Sequence, residues 1–276
     1  AVNRIQSEEQ TFTVLQQARE EGFKSVSVDL IYGLPFQSVA GFSRTVEKVI
    51  AAAPDRLSVF NYAHLPELFK PQRRIASGDL PAPAEKLEIL QRTIEQLAAA
   101  GYVYIGMDHF AKPEDELAMA QREGSLYRNF QGYSTHAECD LIGLGVTSIS
   151  MVGPSYSQNV KGTEDYRRLL AQGQLPIYRG IRLEVDDLLR REVITRLICQ
   201  FELDFAAVEA AHGIVFADYF ATELEEVAQM EADGLLRLES DALRVNPAGR
   251  LLIRNICMVF DKYLRDKAGQ RFSKVI

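Results

Sequence analysis

Three segments of the sequence share one pattern, an apolar stretch rich in β-forming residues that ends in polar residues and a proline. They are DLIYGLP, SVFNYAHLP and GMDHFAKP, which end at Pro35, Pro66 and Pro113. When helices separate strands whose polar residues lie at their carboxyl ends, those ends usually surround one active site. The pattern therefore predicts an enzyme. Three such units are too few to close a barrel of about eight, so we expect this chain to be part of a longer protein.

Apolar residues at helical spacing predict helices that alternate with these strands. The first is expected over residues 8–21 after a Ser7 cap, the second begins at Ser38 and ends before Pro54, and the third covers about residues 84–100. The apolar stripe predicted for the third helix consists of Leu87, Leu90, Ile94 and Leu97. The order helix, strand, helix, strand, helix, strand favours a helix-covered sheet that is mainly parallel.

The alternation of side chains along the strands indicates which residues face away from the helices. In the first strand the aliphatic side chains share one face, and Ser27, Asp29 and Ile31 share the other. We therefore expect Asp29 in the interior near the strand end, although a carboxylate bonded to a neighbouring loop is the ordinary alternative. By the same alternation in the third strand, Asp108 points inward and His109 outward unless a twist at the strand end reverses them, which argues against a joint metal site.

Composition excludes several classes of function. A formal net charge of −7 argues against nucleic acid or an anionic membrane as a general partner. The longest apolar run, residues 141–153, is interrupted by polar residues and is shorter than the about 18 residues of a membrane span. The first residues show no leader pattern, so we expect a cytoplasmic protein. We also expect a monomer. Cys139, Cys199 and Cys257 lack CxxC-type metal spacing, and the last two are expected to be buried thiols.

The second half of the sequence changes character twice. Residues 128–153 favour two extended segments joined by a turn that contains Gly143 and Gly145. This lone GxG precedes a strand-like run, so it does not predict a dinucleotide site. The glycines are expected to let the backbone approach a planar ligand, and a tight turn is the alternative.

From about residue 180 the sequence predicts helices over 186–201, 205–211 and 219–233, a hairpin within 235–245, and a last helix from Asn246 toward Tyr263. This order is typical of a winged-helix-like domain. Because no basic stripe accompanies it, we expect a lid or packing role rather than DNA binding. The predicted domains are residues 1–179, a partial barrel with an extended β segment, and residues 180–276, a helical domain.

Five strings, RNFQGYST, DLIYGLP, NYAHLP, GMDHFAKP and GRLLIRNIC, together resemble the oxygen-independent coproporphyrinogen III oxidase (coproporphyrinogen dehydrogenase) family of radical S-adenosylmethionine (SAM) enzymes. The resemblance implies an α/β fold: the second half of an incomplete TIM-like (radical SAM) barrel, followed by a mostly helical, winged-helix-like C-terminal domain. The family also has a CxxxCxxC string whose thiolates hold a 4Fe-4S cluster, and this sequence contains no such string. No metal ligand is therefore predicted here, and the isolated chain is expected to be inactive.

The resemblance also implies cofactor contacts, with two SAM molecules in the complete enzyme. Ala63 and Ile149 would contact the cluster-bound SAM. Arg4 and Asp29 would bind the second, since a guanidinium can pair with a carboxylate and a carboxylate can accept from ribose hydroxyls or an ammonium.

The implied reaction of heme biosynthesis converts two propionates of coproporphyrinogen III to vinyl groups, which gives protoporphyrinogen IX. The electron acceptor and the catalytic residues are not indicated by the sequence. Candidate substrate-binding residues are Arg122, Arg128, Phe130 and Gln131. For both arginines the alternative is an ordinary surface charge.

Two other functions remain open from the sequence. One is a related radical SAM protein that handles heme, for which an HNxxYW-like string would be expected in place of RNFQGY. The other is a non-catalytic fragment that binds only a porphyrin or a partner chain.

Overall fold

The computed structural model of the protein describes residues 5–265 and divides them into two compact units. The first comprises residues 5–123 and the second residues 124–265. This division does not test the domain boundary expected near residue 180, which stays a prediction.

The first unit alternates helices with strands in the predicted order. Its elements are α1 (Glu8–Glu20), β1 (Ser27–Tyr32), α2 (Val39–Ala52), β2 (Arg56–Asn61), α3 (Pro83–Ala99), β3 (Val103–Gly106), β4 (His109–Ala111) and α4 (Glu116–Glu123). The Ser7 hydroxyl caps α1 by accepting from the Gln10 N–H at 3.1 Å, and the Ser38 hydroxyl caps α2 by accepting from the Gly41 N–H at 3.2 Å. Local capping chemistry therefore sets both helix starts where the sequence places them.

The strands of this unit form one sheet in the order β1-β2-β4-β3. Strands β1 and β2 are parallel, with Asp29 opposite Ser58, and β4 is antiparallel to both β2 and β3. Two reversals leave β3 running in the same direction as β1 and β2. The carboxyl ends of these three strands consequently lie at the same edge.

The third predicted strand is a hairpin rather than one strand. The chain reverses at Met107, whose φ is 54°, and at Asp108, so that His109 starts β4 instead of continuing β3. The Tyr104 hydroxyl donates to the Met107 carbonyl at 2.7 Å, and the Val59 N–H donates to the Asp108 carbonyl at 2.7 Å. The single strand on which the predicted opposition of Asp108 and His109 was based is therefore wrong, and side-chain alternation cannot relate the two residues.

The core of the first unit lies between the sheet and helices α2 and α3. Its buried residues are Tyr32, Phe42, Val46, Leu57, Val59, Ile89, Leu97, Tyr102 and Phe110. In α3 the fully buried stripe is Ile89, Thr93 and Leu97, so only the last of the predicted stripe is central, and Leu90 and Ile94 pack at its margin. The buried face of α3 is therefore rotated relative to the predicted stripe and includes Thr93. Thr93 can be buried because its hydroxyl donates to the Ile89 carbonyl at 2.7 Å.

The second unit combines short antiparallel sheets with helices. Its elements are β5 (Tyr127–Asn129), β6 (Gly132–Ser134), β7 (Ile149–Val152), β8 (Ser155–Asn159), α5 (Thr163–Ala171), β9 (Ile177–Arg182), α6 (Val185–Gln200), β10 (Glu202–Asp204), α7 (Phe205–His212), α8 (Phe216–Tyr219), α9 (Ala221–Ala232), β11 (Leu236–Leu238), β12 (Ala242–Val245), α10 (Pro247–Leu251), α11 (Ile253–Val259) and α12 (Lys262–Arg265). The sheets are β5-β6, β7-β8-β9 and β10-β12-β11.

The GxG segment packs against the chain itself. The Asn159 amide donates to the carbonyls of Gly143 and Gly145 at 3.0 and 2.9 Å. A Cβ at Gly143 would lie 2.7 Å from the Ile149 carbonyl oxygen, which no side chain could accommodate. Gly145 has a φ of 99°, which suits glycine in a turn. Among the described residues, Gly143 therefore allows the backbone to approach another backbone segment, at Ile149. The turn considered in the sequence analysis as the alternative to a ligand contact is present at Gly145.

The C-terminal part has the expected helices and hairpin, with three differences. Strand β10 adds a third strand to the predicted hairpin, the short helix α8 was not predicted, and the last predicted helix is three short helices, α10 to α12. An aromatic cluster fills the centre, where the Phe205 and Phe216 rings stack at 4.2 Å and the Phe220 ring lies 5.6 Å from that of Phe260.

Cys199 and Cys257 are buried, as predicted, and burial raises the pKa of Cys199 to about 12. Between residues 5 and 265, no helix combines the length and the apolar character that crossing a bilayer requires.

Candidate functional site

The three segments singled out in the sequence meet at one edge of the first unit's sheet. Past the end of β2, the Tyr62 N–H donates to the Tyr32 carbonyl at 2.8 Å. Burial, together with the negative charge of Asp108, raises the pKa of Tyr32 to about 12. The Phe60 and His109 rings are perpendicular, with centroids 6.2 Å apart. Residues from all three segments are thus neighbours, as the strand directions require.

Two glutamines fix the loops that follow β1 and β2. The Gln37 side chain accepts from the Leu34 N–H and donates to the Ile31 carbonyl, each at 3.0 Å. The Gln72 side chain donates to the Ala63 carbonyl at 3.0 Å and accepts from the Leu65 N–H at 2.5 Å. Each side-chain amide replaces hydrogen bonds that the loop backbone lacks, so both loops are held in one conformation.

Three buried polar atoms lie where β2 ends. The Asn61 Oδ1, Tyr62 hydroxyl and His64 Nδ1 atoms have no hydrogen-bond partner among the described residues. The rings of Tyr62 and His64 are 6.0 Å apart, and burial raises the pKa of Tyr62. Because buried polar atoms are normally paired, a group of unpaired ones is a candidate place for a polar ligand.

A lysine that the sequence did not reveal joins this edge. Gly33 has a φ of 82°, and a Cβ there would lie 3.0 Å from Lys86 Cε and 3.3 Å from Asn61 Oδ1. Burial lowers the pKa of Lys86. Sequence reasoning missed this residue because Lys86 lies in the first turn of α3, where a lysine carries no recognisable motif.

Asp29 lies on the strand face predicted for it, but it is not enclosed. Ser27, Asp29 and Ile31 are exposed and alternate with half-buried aliphatic residues. The expected interior position is therefore wrong for the described chain, since no described residue covers that face of the sheet. The carboxylate of Asp29 makes no hydrogen bond or ion pair among residues 5–265, so it is available to a ligand.

The other predicted cofactor contacts are distributed as follows. Ala63 is exposed in the loop held by Gln72. Ile149 is half-buried in the second unit, where it starts β7 and pairs with Gln158. Arg4 lies outside the described residues.

The predicted substrate contacts differ in their surroundings. Arg122 is exposed on α4 in the first unit, and its Nη1 atom donates to the Pro113 carbonyl at 2.8 Å. Arg128, Phe130 and Gln131 belong to the β5-β6 hairpin of the second unit. Gln131 is exposed, and its N–H donates to the Asn129 side chain at 2.8 Å.

Arg128 and Phe130 line a cavity of about 550 Å³ within the second unit. Its other lining residues are Tyr127, Asn129, Met151, Tyr156, Leu183, Asp187, Arg190, Arg191, Ile194, Thr195, Ile198, Asp261, Lys262 and Tyr263. The cavity therefore combines aromatic rings with four cationic side chains, which suits a ligand that is both apolar and anionic.

A network of ion pairs borders this cavity. Arg190 bonds to Asp186 and to the buried Glu223, each at 2.8 Å, and Lys262 bonds to Asp186 and Asp187 at 2.8 and 2.7 Å. Although burial alone would raise it, hydrogen bonds from Lys262, Tyr219 and Arg190 hold the pKa of Asp186 at about 2. This network ties α6 to α9 and α12.

The described residues do not fit an iron-sulfur cluster. Among residues 5–265 no three histidine, cysteine or acidic side chains lie close enough to hold a metal ion. All three cysteines fall in this range, and burial raises the pKa of both Cys199 and Cys257, which disfavours the thiolates that iron requires.

Comparison with known proteins gives consistent similarities. Residues 183–252 match the family model of the HemN C-terminal domain. Over its whole length the chain is 57% identical to the oxygen-independent coproporphyrinogen III oxidase of Pseudomonas aeruginosa and 53% identical to that of Escherichia coli, and it covers 60% of each. The protein of the same name from Thermostichus vulcanus is 52% identical over 277 residues, and the chain covers 85% of it.

A solved structure resembles the fold closely. It is coproporphyrinogen III oxidase (HemN) from Escherichia coli, described as a radical SAM enzyme, with a TM-score of 0.92 and 52% identity. The match covers 95% of this chain and 60% of that chain. The protein therefore spans about 60% of the length of the Pseudomonas aeruginosa and Escherichia coli relatives.

Proposed function

Because this chain belongs to the family of oxygen-independent coproporphyrinogen III oxidases, we propose that it forms the part of such an enzyme that holds SAM and coproporphyrinogen III. The observation that carries the proposal is the edge of the first sheet, where three strand ends meet beside the unpaired Asn61, Tyr62 and His64 atoms. A polar ligand such as the adenosyl group would satisfy atoms of this kind.

When bound and reduced, SAM would supply a 5′-deoxyadenosyl radical for removing a hydrogen atom from the β-carbon of a propionate. Loss of carbon dioxide and of one electron to an acceptor then leaves a vinyl group, and two propionates react. The task of this chain is to orient the SAM and the tetrapyrrole and to keep water away.

In this proposal two SAM molecules are bound, and the contacts are those that the family resemblance implies. Ala63 and Ile149 contact the first SAM, and Arg4 and Asp29 bind the second. The exposed, unpaired carboxylate of Asp29 and the fixed loop of Ala63 support these roles. The cluster is held by residues outside this chain, because the described residues do not fit it.

The proposed substrate contacts are Arg122, Arg128, Phe130 and Gln131. The cavity supports Arg128 and Phe130 most directly. Arg122 is already bonded to the Pro113 carbonyl and would have to bind substrate with its remaining donors. We also propose that the protein is a cytoplasmic monomer with a domain boundary near residue 180. The electron acceptor is of unspecified chemistry.

A chimeric enzyme tests this function. The 276 residues would replace the matching segment of the Pseudomonas aeruginosa oxidase. The chimera would be incubated without oxygen with coproporphyrinogen III, SAM, a reductant and a cell extract as the source of the electron acceptor. We expect protoporphyrinogen IX and two molecules of carbon dioxide per substrate, and no turnover by the 276-residue chain alone. A chimera that is folded and loaded with its cluster but leaves the substrate unchanged would overturn the proposal.

A further inference from the structure

The four cations of the second unit's cavity are not equivalent. Arg190 and Lys262 each bond to two carboxylates at 2.7–2.8 Å. Arg128 and Arg191 line the same cavity, and neither forms an ion pair with any residue of the described chain. Two uncompensated guanidinium groups in a partly enclosed space are costly, and an anion bound between them would offset that cost.

Arg128 is held in place without an acceptor. Its Nε atom is buried and has no hydrogen-bond partner among residues 5–265. Its guanidinium carbon lies 5.6 Å from the centre of the Tyr133 ring, a distance that permits a cation–π contact. The side chain is therefore ordered by stacking and leaves its donors for another group.

Arg191 presents a second set of donors beside an aromatic wall. Its Nη1 atom makes one long contact, of 3.5 Å, with the Tyr156 hydroxyl. The Tyr156 ring meets the Phe130 ring edge to face at 5.1 Å, and the Phe130 side chain is 54% exposed. An apolar ring could be covered by Phe130 while an acidic group attached to it reached Arg191.

The acidic residues of the cavity are occupied elsewhere. Asp187 pairs with Lys262 at 2.7 Å and accepts from the Tyr263 hydroxyl at 3.0 Å. Asp261 accepts from the Tyr263 N–H at 3.0 Å. Neither carboxylate forms an ion pair with Arg128 or Arg191 among residues 5–265, so both guanidinium groups keep their charge for a ligand.

We propose that Arg128 and Arg191 bind one propionate carboxylate of the tetrapyrrole, with Phe130 and Tyr156 packed against the attached pyrrole ring. This inference rests on the proposed function for the identity of the ligand. Guanidinium groups suit the purpose because their planar N–H donors match the two oxygens of a carboxylate. The sequence had indicated Arg128 and Phe130 but not Arg191 or Tyr156, which have no motif.

Coproporphyrin III, the oxidised and fluorescent form of the substrate, separates binding from turnover. Its affinity for the purified protein would be measured by fluorescence anisotropy, with its tetramethyl ester as the ligand that lacks carboxylates. We expect Arg191→Met and Arg128→Met each to weaken binding of the acid about tenfold and to leave binding of the ester unchanged. Arg191→Lys should lie between Arg191→Met and the unsubstituted protein.

Arg237→Met is the matched control, because Arg237 is exposed on β11 and does not line the cavity. Far-ultraviolet circular dichroism would confirm that each variant is folded. Absence of coproporphyrin binding, or folded Arg191→Met and Arg191→Lys variants that bind as tightly as the control, would overturn the inference. The inference would also be overturned if Arg191→Met bound SAM more weakly in the absence of coproporphyrin, since SAM also carries a carboxylate.

The chimeric enzyme distinguishes this inference from the proposed function. If the unsubstituted chimera turns over and Arg191→Met binds coproporphyrin normally, the carboxylate site is wrong and the function stands. If the chimera is inactive while Arg191→Met still weakens coproporphyrin binding, the carboxylate site stands and the function is wrong.

Discussion

Replacing Arg190 by methionine should destabilise the second unit strongly. Arg190 Nη1 lies 2.8 Å from Glu223 Oε1, and the side chains of the two residues are only 15% and 3% exposed. The same Nη1 atom donates to the Phe260 carbonyl at 3.1 Å. Methionine keeps an apolar chain near Phe220 but removes the Arg190 cation from the buried Glu223 carboxylate.

Removing one partner of a buried ion pair costs about 3–5 kcal/mol. At about 2–4 °C per kcal/mol, this lowers the melting temperature by roughly 10 °C. The assay is thermal unfolding followed by circular dichroism at pH 7. Arg168→Met is the control, because its pair with Asp165 has side chains that are 56% and 62% exposed, and exposed pairs contribute about 0.2–1 kcal/mol.

The double variant Arg190→Met/Glu223→Gln should recover part of the loss, since the buried charge is then absent. Equal melting temperatures for Arg190→Met and Arg168→Met would refute the reasoning. They would mean that Glu223 obtains its compensation elsewhere or is hydrated in solution.

Three further predictions concern the core, pH and activity. Leu97→Ala should cost about 2–5 kcal/mol in denaturant unfolding, because Leu97 is fully buried in α3; an unchanged midpoint would show that this helix face is misassigned. The pKa of Asp186, about 2, lies below its ordinary value, so its contribution to stability is present above about pH 4 and is lost as the pH falls toward 2. The stability difference between the protein and Asp186→Asn should therefore narrow over that interval, and a constant difference would contradict it. In the active chimera, Asp29→Ala should strongly reduce turnover without changing the melting temperature, because Asp29 is exposed; unchanged turnover would reject its role.

The sequence predicted the elements of the first unit well because its helices carry local signals. Ser7 caps the first helix as expected, and Ser38, which was expected to begin the second helix, is its N-cap. The hairpin at Met107 was missed because its two-residue reversal interrupts an otherwise strand-like sequence. The buried face of α3 differs from the predicted one because it includes Thr93, whose hydroxyl donates to the Ile89 carbonyl. Hydrophobic periodicity cannot predict such a hydrogen bond.

The candidate site was predicted in part for a similar reason. Residues with a motif, such as Asp29 and Ala63, could be recognised in the sequence. Lys86 and Arg191 could not, because an ordinary lysine or arginine on a helix gains importance only from what packs beside it.

The sequence by itself determined most of the helices and strands, the position of polar residues at three strand ends, and which family the chain resembles. Those properties depend on residues that are close together in the sequence, such as helix caps, apolar periodicity and short motifs. Only the tertiary structure decided which cations are already neutralised. Arg190 and Arg191 are adjacent in sequence and line the same cavity, yet Arg190 is paired with a buried glutamate and Arg191 forms no ion pair among residues 5–265. Their difference arises from long-range packing, which places Glu223 of α9 beside Arg190 and Tyr156 of β8 beside Arg191.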